Sequence, residues 1–247
     1  MSVNYSAIQI SEDEAQSIAH KLFNLHGTAT ALDGEKDFNF EIETSNKKYL
    51  LKVGRPGQNL DYVEFQTKLF HHLGTKKLMD IPEIILDQHG KAISKVKDEN
   101  GEERFVRMLS WAEGRLWSSV NPITNSLLNS LGEKAGLLTE GLHDFDHHFS
   151  ERYFEWDISN ALWCKEHLHM FEDSQRNILS AFLDAFERIQ PEYVSFRKSV
   201  VHSDVNDNNI IVDQDYKNPS VRSIIDYGDA VKTQSINKIL KKHNLKK

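Results

Sequence analysis

The run at 200–212, VVHSDVNDNNIIV, sets a polar stretch between apolar, strand-like ends. A second apolar run leads into Asp226-Tyr227-Gly228-Asp229. Asp and Asn side chains offer the hard oxygen atoms that Mg²⁺ prefers, with phosphate oxygens and water completing its octahedron. Two short buried strands that deliver such groups to one place suit a metal–nucleotide site. The plainer reading is an Asn/Asp-rich surface loop joining two core strands.

The spacing is H-x-D-x-x-x-x-N followed by D-x-G, the pattern of the kinase phosphoryl-transfer template. On that template Asp204 orients the acceptor hydroxyl and takes its proton. Asn209 and Asp226 hold magnesium. His202 is read as structural support that braces the loop, not as the base.

The donor side is read from four places. Lys52 lies in the strand-like YLLKV and can pair with nucleotide phosphates or simply reach solvent. Its acidic partner is expected on the next helix, where Glu64 is favoured over Gln66 on charge. Residues 34–39 sit where a phosphate-covering hairpin belongs, though with one glycine they also read as an ordinary turn. Met108 and Ser110 fall at the change of lobe, where backbone groups would hold the base. Trp156-Asp157 reads either as a packed ring with a helix N-cap, or with Asp157 near an acceptor's amine. His71-His72 and His147-His148 lack partners at metal-ligand spacing and read as surface residues.

The elements that must position these groups can be sketched from periodicity. Ser11 and Glu14 form a capping-box pattern before a short helix at about 11–24. Alternation at 38–42 and the run 49–53 predict two hairpin strands, and 60–73 predicts a helix. An edge strand is expected at 81–85, and further strands at 92–96 and 104–109. Long helices follow at 126–141 and 177–189, the second with Ile178, Phe182, Leu183, Phe186 and Ile189 at helical spacing. A strand–loop–strand unit at 199–226 carries the polar cluster. The implied architecture is α+β and two-lobed, with a sheet-rich N-lobe at 1–109, a hinge and linker at 110–125, and a mainly helical C-lobe at 126–247.

The chain has 247 residues, 39% of them hydrophobic, enough to bury a substantial core. A net charge of -7 argues against a general nucleic-acid surface. Cys164 is the single cysteine, which excludes an intrachain disulfide. No apolar run approaches the roughly 20 residues of a membrane span, and no leader pattern opens the chain. The expectation is a cytoplasmic protein with neither nucleic-acid nor membrane partners.

VVHSDVNDNNIIV and SIIDYGDAV resemble the aminoglycoside-phosphotransferase and choline-kinase-like family, in particular its hydroxylysine kinases and the phosphotransferase domain fused to class III aminotransferases. YLLKVGRPGQNLDYVEFQTKLFHHL and FDHHFSERYFEWDISNAL resemble two further stretches of that group. The resemblance runs through most of residues 12–235. It implies a protein-kinase-like fold, ATP or GTP as phosphoryl donor with Mg²⁺, and a small hydroxylated amine or amino acid as acceptor, hydroxylysine foremost. Asp229 is then assigned to acceptor binding along with Asp157. Tyr227 stands where the family usually has Phe. The family also continues for roughly a hundred residues beyond its D-F-G-D segment. The expectation is therefore a C-terminally short form with uncovered apolar surface and a tendency to self-associate. Its alternative reading is a truncated, non-catalytic pseudokinase that binds nucleotide or a protein partner.

Overall fold

The computed structural model describes residues 9–237. It has the α+β, two-lobed, kinase-like architecture expected, sheet-rich in its N-terminal region and helix-rich in its C-terminal region.

The first helix, α1 (Glu12–Phe23), starts where Ser11 accepts the Glu14 amide and ends at Asn24 in the left-handed conformation. Strands β1 (Gly27–Leu32), β2 (Asp37–Thr44) and β3 (Lys48–Gly54) form an antiparallel meander. Helix α2 (Leu60–Lys76) follows, then β4 (Ile84–Ile85), β5 (Ser94–Lys97) and β6 (Glu103–Ser110). The sheet runs β1-β2-β3-β6-β4, with β5 also on β6. Ala15, Ile18 and Ala19 of α1 pack on the apolar side of this sheet with Ile42, Leu51, Val53 and Met108. Strand β1 had no sequence signal of its own: GTATAL has small residues and little apolar alternation, and its pairing with β2 makes it a strand.

The stretch expected to be a plain linker contains β7 (Arg115–Leu116) and a 3₁₀ turn, Trp117–Ser119. Helix α3 (Asn125–Gly141) is capped by Thr124, and a 3₁₀ segment, Ile158–Met170, leads to α4 (Asp173–Tyr193). The chain then forms β8 (Lys198–Val201), β9 (Ile210–Val212), β10 (Val221–Ile224) and β11 (Val231–Gln234). Strands β8 and β9 flank the polar loop at 202–209 without pairing to each other. Strand β8 pairs with β11, while β9 lies between β10 and β7.

Helix α2 ties the lobes together. Phe65, Leu69, Phe70 and Leu73 share one core with Leu138, Leu142, Phe145, Val200, Ile224, Tyr227 and Ala230. Tyr227 stands edge-on to Phe70 at 5.1 Å, and its hydroxyl donates to the Ile224 carbonyl at 3.0 Å. That bond satisfies the one polar atom that distinguishes this ring from Phe.

Helix α4 carries uncovered apolar surface of the kind expected for the C-lobe. Its apolar stripe is present, with Ile178 61% exposed, Phe182 73% and Ile189 54%, and Tyr193 alone of its residues is buried. No helix of the described residues is long and apolar enough to cross a membrane. The basic end of the sequence lies outside the described residues.

Candidate active site

The polar loop at 202–209 is fixed from below by its histidine. His202 is buried, accepts the Asp204 amide at Nδ1 (3.2 Å) and bonds the Ile225 carbonyl through Nε2 (2.9 Å). An amide can only donate and a carbonyl can only accept, so the ring is neutral with its proton on Nε2. Burial pushes its pKa down, outweighing the Ile225 bond and the nearby Asp226 and Asp204 carboxylates. His202 therefore fastens Asp204 to the strand before Asp226.

Asn209 completes the brace. Its amide nitrogen donates to the Asp204 carbonyl and to Asp204 Oδ2, both at 2.9 Å. Both amide protons are thereby used, so Oδ1 is the atom left for a cation. The Ile225 amide donates to the Asn209 carbonyl at 2.9 Å, which places Asp226 directly beyond that link. Ser203 (φ 67°) and Asp226 (φ 58°) both adopt the left-handed region, uncommon for residues other than glycine. Such strain concentrates at functional sites and persists where surrounding bonds over-determine it.

Asp204, Asp226, Gly228 and Asp229 of the C-lobe face Lys36, Asp37 and Lys52 of the N-lobe around one cavity of about 60 Å³. Among the described residues, no group of three or more His, Cys, Asp or Glu is arranged to hold a metal alone. Mg²⁺ does not need one. It is commonly held by one or two protein groups plus substrate phosphates, and Asn209 Oδ1 with Asp226 fits that donor set.

The partner of Lys52 is not on α2. Lys52 Nζ lies 3.4 Å from Asp37 on β2, and Arg107 on β6 lies 2.9 Å from the same carboxylate. Glu64 instead meets Lys68 one turn along α2 at 3.2 Å, so the expected Glu64–Lys52 pair is corrected. Gln66, the competitor, accepts from Arg107 at 2.6 Å. The sheet register explains this: Lys52 pairs across with Arg107 on one side and Asn39 on the other, so β2 and β6 bring the charges together. Burial opposes ionisation of Asp37, but Arg107 and Lys52 outweigh it and hold the carboxyl below its usual range.

One other assignment is corrected. Asp157 is 6% exposed, and its carboxylate is filled by Ser159, Thr233 and Asn237. It caps the 3₁₀ segment and does not face the cavity, so the acceptor-amine assignment is corrected to the N-cap alternative. Met108 is fully buried in the core under α1. The Ser110 amide donates to the Glu83 carbonyl at 2.8 Å, and the residue lines a separate groove of about 910 Å³. Neither lines the cavity that Asp204 and Asp226 share. Asp229 does reach it, in an ion pair with Lys36 at 2.5 Å.

Arg152 was missed in the sequence. Its guanidinium donates to the carbonyls of Ala230 (2.7 Å) and Gly228 (3.3 Å), framed by the rings of Phe65, Phe149 and Phe154. It holds the D-x-G-D loop from behind. The aromatic setting HFSERYF was the available signal.

A two-lobed kinase-like fold with an Asp–Asn–Asp cluster at its cleft defines the class. The profile described as the phosphotransferase enzyme family (APH) matches residues 28–233, and the chain belongs to that family. Hydroxylysine kinase of Mus musculus is 24% identical over 244 residues, covering 88% of this chain and 64% of that protein. Hydroxylysine kinase of Danio rerio is 23% identical over 251 residues, covering 93% and 68%. The chain thus spans about two thirds of the length of these relatives. Among solved structures, a microcompartment-associated aminopropanol kinase superposes with a TM-score of 0.72 at 18% identity, covering 93% of this chain and 73% of that one. Amicoumacin kinase hAmiN, in complex with AMP-PNP, Ca²⁺ and Ami, gives 0.69 at 16% identity, covering 97% and 70%.

Proposed function

We propose that this protein transfers the terminal phosphoryl group of ATP or GTP to the hydroxyl of a small amino compound, with 5-hydroxylysine as the first acceptor to try. The observation that carries the reading is the convergence of Asp204, Asp226 and Lys52 on one cavity between the lobes. The family membership and the similarity to hydroxylysine kinases support the choice of acceptor.

In this reading Asp204 aligns the acceptor hydroxyl and takes its proton as the oxygen attacks. The new oxygen–phosphorus bond forms while the bond to the nucleoside diphosphate breaks. Lys52 neutralises donor phosphates, and its orientation is set by Asp37 and Arg107. Mg²⁺, held by Asn209 and Asp226, would neutralise charge on the phosphate oxygens. His202 and Arg152 touch no reacting atom; they fix Asp204 and the D-x-G-D loop. Residues 1–109 would carry the donor and 126–247 the catalytic and metal groups, with 110–125 as the hinge.

The test is nucleoside diphosphate release by the purified chain with Mg²⁺, ATP or GTP, and a panel of hydroxylysine, aminopropanol, homoserine and aminoglycosides. Turnover with a panel member, lost in Asp204→Asn, is expected. A folded sample with no turnover on any of them rejects the reading. The uncovered face of α4 favours a second reading, a non-catalytic protein that binds nucleotide or a protein partner, the partner docking on that face; calorimetry showing nucleotide binding without transfer would support it.

A further inference from the structure

The roof of the cavity carries a cation that the reading above does not use. Lys36 lies in the β1–β2 hairpin, and its ammonium sits 2.5 Å from Asp229 Oδ1. It is also 5.7 Å from the centre of the Tyr62 ring and 5.3 Å from that of Phe154. The hairpin is braced. Arg55 donates to the Glu35 carbonyl at 2.8 Å, Gln58 to Asp37 at 2.7 Å, and Asn39 to the Asp33 carbonyl at 3.0 Å. A side chain at Gly34 would meet the Asp37 carbonyl at 2.3 Å, so the tight turn depends on glycine there. Lys36 is thus presented by a shaped turn.

Two facts turn this ion pair into a question about ligands. Lys36 and Asp229 line the same cavity as Lys52, Asp204 and Asp226, so their contact lies among the groups that would meet the donor phosphates. A triphosphate bound there would compete with Asp229 for the Lys36 ammonium. Carboxylates also outnumber cations at the cavity: Glu35, Asp37, Asp204, Asp226 and Asp229 face Lys36 and Lys52. Lys52 already has Asp37. A divalent cation brought by the nucleotide would give the aspartates another counter-charge and free Lys36 to meet a phosphate oxygen.

We propose that Lys36 is a phosphate-binding residue that the nucleotide-free protein stores on Asp229. The proposal rests on the phosphotransferase reading and adds a donor-side residue and an exchange of partners to it. Storage has a signature that a merely structural ion pair lacks. Removing Lys36 takes away a phosphate contact, whereas removing the Asp229 charge frees Lys36 for that contact.

The experiment is calorimetry of Mg²⁺ with AMP-PNP and with ADP on the wild type, Lys36→Met and Asp229→Asn. Lys36→Met should weaken AMP-PNP about tenfold, the scale of a lost charge-assisted bond, and change ADP little. Asp229→Asn should tighten AMP-PNP a few-fold, by about the competition it removes. Hydrogen exchange of the amides at 33–37, without nucleotide, should quicken in both variants. Equal loss of ADP and AMP-PNP affinity in Lys36→Met overturns the proposal. So does weakening by Asp229→Asn, or unchanged exchange in both. A wild type that binds neither nucleotide sinks the phosphotransferase reading and this proposal together. A wild type that binds both, with Lys36→Met unaltered, sinks this proposal alone.

Discussion

Lys52 and Arg107 are cross-strand neighbours on β3 and β6, and both aim their charge at one carboxylate, Asp37 of β2. Asp37 is 3% exposed, Lys52 8% and Arg107 2%, so the three form a buried cluster with Gln66 and Gln58 closing its edges. Two buried cations that share one anion make that anion hard to replace.

Asp37→Asn is therefore expected to destabilise the protein strongly, by about 3–5 kcal/mol, because it strands buried charge. Glu64→Gln should cost no more than about 0.5 kcal/mol, since its partner Lys68 is largely exposed. Urea unfolding of both variants checks this. The acid limb adds a sign. The folded Asp37 carboxyl ionises at lower pH than in the unfolded chain, so its stabilisation is complete above the unfolded value of 3.8 and fades as pH falls through the folded value. The gap in urea midpoint between wild type and Asp37→Asn should narrow on acidification into that range. A gap that stays constant or widens contradicts the assignment.

Asp204 and Asp226 should separate by kinetic behaviour. Asp204→Asn is expected to lower kcat by at least about a hundredfold, a usual scale for a lost proton acceptor, with nucleotide affinity nearly unchanged. Asp226→Asn should weaken nucleotide binding when Mg²⁺ is present and leave it nearly unchanged in EDTA. Asp207, exposed in the same loop, is the control, and Asp207→Asn should leave both quantities near wild type. Loss of activity in Asp207→Asn with Asp204→Asn active would show that the loop register is wrong.

The cluster around Asp204 was legible because it is local: a single run at 200–212 holds His202, Asp204 and Asn209, and their mutual bonds span a few residues. The partner of Lys52 was not, because it follows from the register of three strands, and the nearest acidic residue on the next helix was a reasonable but mistaken guess. Asp157 shows the same limit from the other side. An aspartate before a helical segment reads equally as cap or ligand, and only the arrival of Thr233 and Asn237 from the far side of the lobe decides for the cap. The stripe on α4 was legible as periodicity. Its exposure was foreshadowed only by the resemblance, since burial depends on what packs above it.

That stripe leads to a prediction about association. Ile178, Phe182 and Ile189 lie at 61%, 73% and 54% exposure, an apolar face larger than scattered surface residues explain. The double variant Ile178→Ser/Phe182→Ser should keep the fold, with stability changed by less than about 0.5 kcal/mol, as usual for exposed positions. Sedimentation velocity should show less self-association than in the wild type. Equal association in both, or unfolding of the variant, would mean that this face is not the sticky one or is covered in solution.

Arg152 is the residue whose removal should separate loop order from chemistry. It sits between the lobes' shared aromatic core and the backbone of the D-x-G-D loop, with bonds to the Gly228 and Ala230 carbonyls. Burial lowers the pKa of its guanidinium, yet Arg stays charged at any working pH, so those bonds are permanent features of the folded state. Arg152→Met keeps the apolar stem that packs near Phe65, Phe149 and Phe154 and deletes the fork. Leaving those partners unmet should cost about 1–3 kcal/mol in unfolding free energy. The larger effect should appear in Mg²⁺-dependent nucleotide binding, because Asp226 and Asp229 flank the freed backbone. Asp204 is held by His202 and Asn209 through separate bonds and should stay in place. The expected result is nucleotide affinity about tenfold weaker with Mg²⁺ and little changed without it, the loss typical of a support behind a metal ligand. Arg152→Lys should recover part of the stability and little of the affinity, since an ammonium is a poor substitute for a fork that spans two carbonyls. Equal loss with and without Mg²⁺ would mean that Arg152 supports the lobe as a whole and not the metal-side loop.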